Sequence, residues 1–186
     1  MDSLYIDKVL SGDRHAFSYF ISNYKDMAFS VALSIVKNEL LAEEATQEAF
    51  VQAYFSLENF KGQSKFSTWF YKIVVHCSYK LISKKNVQQV EIDLNEHDIE
   101  FNDNALKTMM EEEQKQMINS VLMRIPSNES LALRLFYLEE MSIQDLCSIT
   151  GWTNANCKVI LFRARKRMAF ELNKEINSLS YGRGKR

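Results

Sequence analysis

The sequence predicts an all-α protein built as two small helical domains joined by an acidic linker. Three observations carry this. The 186 residues hold one proline, Pro126, and five glycines, so breakers of helices are scarce. Apolar residues recur at three- and four-residue steps through most of the chain, the period of a helix with one buried face. That period lapses once, between about residues 86 and 108, where acids and asparagines gather. Nearly half the residues are hydrophobic, enough for a packed core.

A short helix is expected before Ser11. The first long one starts near Asp13, a good N-cap, with Phe17, Phe20, Tyr24, Met27, Ala28, Val31 and Ile35 as its apolar stripe. Asn38 caps the next, from about Glu39 to Leu57, whose apolar side is Ala42, Ala45, Ala49, Phe50, Ala53 and Leu57. "NFKGQSKFS" reads as a loop because it combines a glycine with small polar residues. Ser67 or Thr68 then caps a helix through Trp69, Phe70, Ile73, Val74, Cys77 and Leu81. Residues 1–85 are thus one bundle, and 86–108 the linker.

The second domain spans 109–178. Its first helix sets Met110, Gln114, Met117, Val121 and Leu122 on one side, and Pro126 with Ser127 ends it. "NESLALRLFYLEE" is the second helix, and "SIQDLCSI" the third with Ser142 as cap. "TGW" is a tight turn, after which Thr153 caps "NANCKVILFRARKRMAFELNKEI". Residues 179–186 read as a frayed basic tail.

The net charge of −1 conceals a segregated pattern. Lys61 to Lys85 contains six lysines and no acid. Asn86 to Glu113 has nine acids against one lysine, and Lys158 to Arg186 nine bases against two acids. Two basic segments flanking an acidic one point to polyanion contact at two places. The N-terminus lacks a signal pattern and no apolar run is long enough for a bilayer, so the expected location is cytoplasmic, without membrane insertion. Cys77, Cys147 and Cys157 are too widely spaced for a disulfide framework or zinc ribbon and read as small buried thiols.

Two segments carry the chemistry. In the second domain a short helix, a turn at Gly151 and a longer basic helix make a helix-turn-helix pattern, in which the early residues of the second helix reach base edges. Those residues are Asn154, Asn156 and Lys158; Asn pairs with adenine, Lys with guanine acceptors or phosphate. Arg163, Arg165, Lys166 and Arg167 follow but span several faces, so they cannot all meet DNA; a solvated, dipole-favoured helix end is the simpler reading for some of them. In the first domain, Lys61, Lys65 and Lys72 interleave with Phe60, Phe66, Trp69, Phe70 and Tyr71. Lysines hold a phosphate backbone while aromatic faces stack on unpaired bases. Phe70 and Ile73 read as core, and Trp69 as part core and part surface.

"FKGQSKFSTWFYKI" resembles the promoter-melting signature of sigma-70-type sigma factors, in particular the small extracytoplasmic-function class. "LAEEATQEAF" is similar to that family's region 2 pattern Asp-Ala-Glu-Asp-x-x-Gln-Glu-x-Phe, with Ala42, Glu43, Glu44, Gln47, Glu48 and Phe50 at matching positions. "SIQDLCSITGWTNANCKVILFRARKRM" resembles the region 4 helix-turn-helix. The resemblance covers nearly the whole chain and implies a protein with no catalysis and no cofactor or metal of its own. It implies that those six residues contact core RNA polymerase at the clamp helices of the largest subunit, with region 4 on the flap of the second largest. It implies further that Phe60, Lys61, Ser64, Lys65, Phe66, Trp69, Lys72, His76 and Lys80 hold the −10 element as a single strand. Thr153, Asn154, Asn156, Lys158, Arg163 and Arg165 would bind the −35 duplex, the acidic linker would thread toward the active-site and RNA-exit channels, and an anti-sigma factor is implied as a further partner.

Several positions depart from the family pattern. Val159 and Ile160 stand where Ser and Arg are common after the recognition-helix Lys; Ile160 either buries in the unit's core or touches a thymine methyl. "NANC" replaces small-Gly-Thr-Val. His76 replaces Asn, and either bonds the nontemplate strand or is a neutral buried histidine; Lys80 replaces Asp or Asn, and Leu41 replaces the first Asp of the region 2 pattern. Without the resemblance, the acidic helix would read as a solvated face. The competing reading is a stand-alone helix-turn-helix regulator, which leaves the lysine-aromatic loop and the linker unexplained. A carboxylate-bridged metal enzyme would need Glu three residues before His, and none precedes His15, His76 or His97. No P-loop, zinc pattern or nucleophile elbow is present.

Overall fold

The computed structural model describes the backbone of residues 1–86 and 111–183, and the side chains of 1–84 and 113–177. All regular structure among the described residues is helical. Apart from Asn86, the expected acidic linker lies outside them.

Helix α1 (Asp2–Leu10) lies where the sequence places a short helix. Asp13 is a cap, as expected, but of a short 3₁₀ turn (Arg14–Phe17), its carboxylate accepting from the His15 and Ala16 amides. The long helix α2 (Ser18–Val36) starts only after that turn. It ends at Lys37, whose left-handed φ of 55° breaks the chain direction. Asn38 then accepts from the Leu41 amide and opens α3 (Glu39–Ser56). A one-turn 3₁₀ segment (Leu57–Asn59) and an exposed loop lead into α4 (Phe66–Asn86). Here the expected cap is corrected. The Lys65 carbonyl accepts the Trp69 amide, so the helix starts before Ser67, and Thr68 is buried inside it.

Four helices follow in the second half. They are α5 (Glu111–Arg124), α6 (Ser127–Leu133), α7 (Ile143–Thr150) and α8 (Asn154–Arg183). The single helix expected over 128–140 is instead α6 followed by a π-helical segment (Arg134–Leu138), which turns the chain toward α7. The tail expected from residue 179 is helical as far as Arg183.

The first three long helices pack pairwise around Phe20, Val31, Ile35, Phe50, Phe70 and Val74, with the alanines of α3 admitting close approach of its neighbours. Burial of each large apolar side chain contributes roughly 1.5–3 kcal/mol. Leu131, Leu135, Leu146, Cys157 and Leu161 of the second half belong to the same buried cluster. The two halves therefore share a core, formed where α6 meets α2 and α7 meets α4. Polar bonds fasten the seam: Ser127 Oγ donates to the Ile35 carbonyl (2.7 Å), Lys37 Nζ to the Leu122 carbonyl, and Thr68 Oγ1 to Asp145 Oδ1 (3.2 Å). A smaller cluster of Met117, Val121, Leu122, Ile125, Leu133, Ala164 and Leu172 holds α5 against α8.

Candidate nucleic-acid interface

The turn between α7 and α8 is fixed from both sides. Ser142 and Asp145 form a reciprocal capping box at the start of α7, with Asp145 N–H donating to Ser142 Oγ (3.1 Å) and Ser142 N–H to Asp145 Oδ2 (3.2 Å). The hydrogen bonds from Ser142 hold the Asp145 carboxyl below its usual range, and Thr68 and Lys65 add to this. Gly151 ends α7 at φ 75°, a left-handed conformation that only glycine adopts at little cost. Thr153 Oγ1 then accepts the Asn156 amide (3.2 Å) and starts α8.

Cys157, Ile160, Leu161 and Ala164 form the buried stripe of α8. At 3.6 residues per turn, the direction opposite that stripe belongs to Ala155, Val159, Phe162 and Lys166. All four are exposed. The expected DNA-contacting residues stand on the flanks of this ridge. Asn154, Lys158 and Arg165 lie to one side, Asn156 and Arg163 to the other, all exposed. Burial decides the two readings of Ile160 in favour of core, while Val159, 47 % exposed, takes the outward place. Sequence reasoning put apolar side chains at 159 and 160 where polar contacts are usual; Ala155 and Phe162, four residues before and three after Val159, complete the ridge it did not name. Arg167 turns away from the ridge, its Nε donating to Glu129 Oε2 (2.8 Å), and Arg165 donates to Tyr137 Oη (3.3 Å).

On α4, Trp69, Lys72, His76 and Lys80 fall within one narrow stripe, since steps of three and four residues return nearly to the same direction. Lys72, His76 and Lys80 are exposed and Trp69 half-buried. His76 is therefore not a buried core histidine. The stripe continues into the loop, where Lys61, Ser64 and Lys65 are exposed and Gly62 takes φ 67°. Phe60 lies against Trp69 with ring centroids 5.2 Å apart. Phe66 corrects the expectation: it is buried at 3 % exposure between Phe20, Phe60, Phe70 and Trp69, and so supports the two outer aromatics instead of facing solvent.

Helix α3 sorts the remaining expected residues. Glu43, Glu44, Gln47 and Glu48 are exposed, whereas Ala42 and Phe50 are buried and contribute to the core. Glu44, Gln47 and Glu48 share the outward face with Leu40, Val51 and Phe55, which are 75 %, 52 % and 74 % exposed. The outward face of α3 is therefore an apolar ridge edged by carboxylates. Leu40, Val51 and Phe55 went unread in the sequence because they lie outside or between the motif positions. A second apolar surface is a groove of about 490 Å³ between α5, the π segment and α8, lined by Ile118, Leu122, Tyr137, Leu138, Met168 and Leu172.

Residues 20–87 match the family Sigma-70 region 2, and residues 115–168 match Sigma-70, region 4. The chain belongs to the sigma-70 family of sigma factors. Its relatives place it in the extracytoplasmic-function class. The RNA polymerase sigma-H factor of Pseudomonas aeruginosa is 26 % identical over 174 residues, covering 89 % of this chain and 90 % of that one. The ECF RNA polymerase sigma-E factor of Escherichia coli (strain K12) is likewise 26 % identical, covering 89 % and 91 %. The fold is shared with the sigma factor RpoE of Bartonella quintana, solved in complex with the anti-sigma factor NepR, at a TM-score of 0.66 and 17 % identity over 84 % of this chain and 96 % of that one. As a sigma factor, the protein directs RNA polymerase to promoters. Sigma factors are not enzymes as a family. Among the described residues no three ligating side chains gather for a metal, and no helix is long and apolar enough to cross a membrane.

Proposed function

We propose that this sigma factor divides promoter recognition between its two halves, residues 1–85 taking the opened −10 strand and 109–178 the −35 duplex. The observation that carries the proposal is the stripe of Trp69, Lys72, His76 and Lys80 on α4, continuous with the lysine loop and the Phe60 ring. Cations beside half-buried aromatic rings suit a single strand, whose phosphates need charge and whose bases need a stacking face. The Thr153–Arg165 part of α8 instead offers an outward ridge flanked by polar and basic side chains, the form that enters a major groove. There, Val159 meets a thymine methyl while Asn154, Asn156 and Lys158 read base edges or phosphate.

The α3 ridge, with Glu44, Gln47 and Glu48 around Leu40, Val51 and Phe55, docks on the clamp helices of the largest polymerase subunit. The C-terminal groove accepts an apolar element of the flap of the second largest. An anti-sigma factor is a further partner, and the solved Bartonella complex supports that reading. The site of action is the cytoplasm, where core polymerase and promoter DNA are found together. The protein needs no cofactor and catalyses no step itself.

A gel-shift with promoter duplex separates this from a stand-alone regulator. The expected result is weak, salt-sensitive binding by the chain alone and tight binding with core polymerase. Tight, sequence-specific binding by the chain alone would establish the regulator.

A further inference from the structure

Cys147 on α7 and Cys157 on α8 bring their Sγ atoms to 3.5 Å across the helix-turn-helix. They are the only facing cysteines among the described residues; Cys77 is buried elsewhere, its thiol donating to Gln52 Oε1 (3.2 Å). The two members of the pair differ in access. Cys147 is half-buried, while Cys157 is fully enclosed. Burial first, and the Cys147 thiol second, push the Cys157 thiol up to about 11. Cys147 is thus the sulfur placed to react first, and Cys157 the sulfur placed to resolve it.

We propose that Cys147 and Cys157 are an oxidisable dithiol, closed to a disulfide by hydroperoxides, and that closure re-aims the first turn of α8. This rests on the reading of α8 as the duplex-binding helix. In the first step the Cys147 thiolate attacks the peroxide. An S–O bond forms, the O–O bond breaks, and an alcohol (water, for hydrogen peroxide) leaves with the proton. In the second step Cys157 sulfur attacks the Cys147 sulfenic acid. The S–S bond forms, the S–O bond breaks, and water leaves carrying the Cys157 proton. Two thiols lose two electrons and one peroxide gains them.

The structural consequence follows from the distances. A disulfide needs sulfurs about 2.05 Å apart, so the pair must close by roughly 1.5 Å. The α7 side is held by the capping box and by Thr68 of α4. Cys157 opens the buried stripe of α8, and Asn154, Asn156 and Lys158 are exposed on the same turn. On the α8 side, closure moves the turn that carries the residues proposed to face DNA.

The test uses the full chain, hydrogen peroxide and mass spectrometry after alkylation, followed by promoter binding with core polymerase. The expected result is a Cys147–Cys157 linked peptide with Cys77 left as a thiol. Promoter affinity should fall at least about fivefold, the equivalent of one base-edge interaction, and dithiothreitol should restore it. Cys147→Ser and, separately, Cys147→Ala should bind promoter like the reduced protein and ignore peroxide. Cys147 driven to sulfinic acid with Cys157 still a thiol would overturn the proposal. So would the linked peptide with unchanged promoter affinity. A reduced chain that fails to bind promoter with core polymerase would instead count against the reading of α8, while the linked peptide would still report on the thiols.

Discussion

Arg167 is the basic residue of α8 that the structure turns away from the proposed DNA-binding ridge, and its replacement separates stability from DNA binding. Its Nε lies 2.8 Å from Glu129 Oε2, with the Arg167 side chain 29 % exposed and the Glu129 side chain 7 %. Glu129 sits in the first turn of α6, among residues that join the shared core. Arg167→Ala leaves that carboxylate enclosed without its cation. Removing one partner of a fully buried pair costs about 3–5 kcal/mol. Water reaches part of Arg167, so about 2–3 kcal/mol is the reasonable expectation here. With a urea slope of about 2 kcal/mol per molar for a chain of this size, the midpoint should drop by roughly 1 M. Urea unfolding followed by far-ultraviolet circular dichroism reads this directly. The double variant Glu129→Met/Arg167→Met should recover most of the stability, because no buried charge is left alone. Promoter affinity of folded Arg167→Ala should stay within about twofold of the parent, the scatter expected for a side chain that does not touch DNA. A midpoint unchanged within error, combined with weakened promoter binding, would refute the assignment and return Arg167 to the DNA surface.

Three further outcomes are expected. Replacing Lys158, Arg163 and Arg165 by Ala should lower the log–log salt slope of promoter binding by roughly 0.9 for each phosphate deprived of its cation; binding assays from low to high salt check it, and an unchanged slope would clear this helix of DNA contact. Trp69→Ala with Lys72→Ala should impair promoter opening, read by permanganate reactivity of unpaired thymines, more than closed binding; equal losses would mean that both residues serve only the fold. Lys37 has a pH signature. Burial, with Arg134 adding to it, lowers its ammonium from the usual value to about 8, so between about pH 8 and 10.5 the unfolded chain holds a proton that the folded chain has released. Stability from this group therefore rises as pH increases through that window and is lost as pH falls through 8. Lys37→Met should remove that rise. The Leu122 carbonyl keeps Ser130 Oγ as a donor, so the variant orphans no acceptor. Thermal unfolding at pH 7, 8 and 9 measures the difference, and parallel pH profiles would contradict it.

Helix positions and caps were legible wherever one face alone is buried. Asn38, Ser142, Gly151 and Thr153 all act as the sequence suggests, because capping chemistry is local and needs no tertiary partner. The errors share a different cause. Thr68 looked like a cap and is a seam residue bonded to Asp145, which lies 77 positions further along the chain. Phe66, Ala42 and Phe50 belong to conspicuous motifs yet lie in the core, since a motif records both the residues that touch a partner and those that hold them in place. Phe162 and the exposed Leu40, Val51 and Phe55 went unread because an apolar side chain is assigned inward by default. Only the position of the buried stripe shows that these point outward. The contact between the two halves was illegible for a related reason: two amphipathic bundles do not declare which faces they will share.

Run-off transcription tests the central claim most directly. Purified bacterial core polymerase would be supplied with promoter-bearing fragments, with and without this chain. The predicted result is chain-dependent transcripts with defined starts, whose upstream sequences align to shared −35 and −10 elements. Absence of such transcripts, together with no stable binding to core polymerase, would contradict the claim.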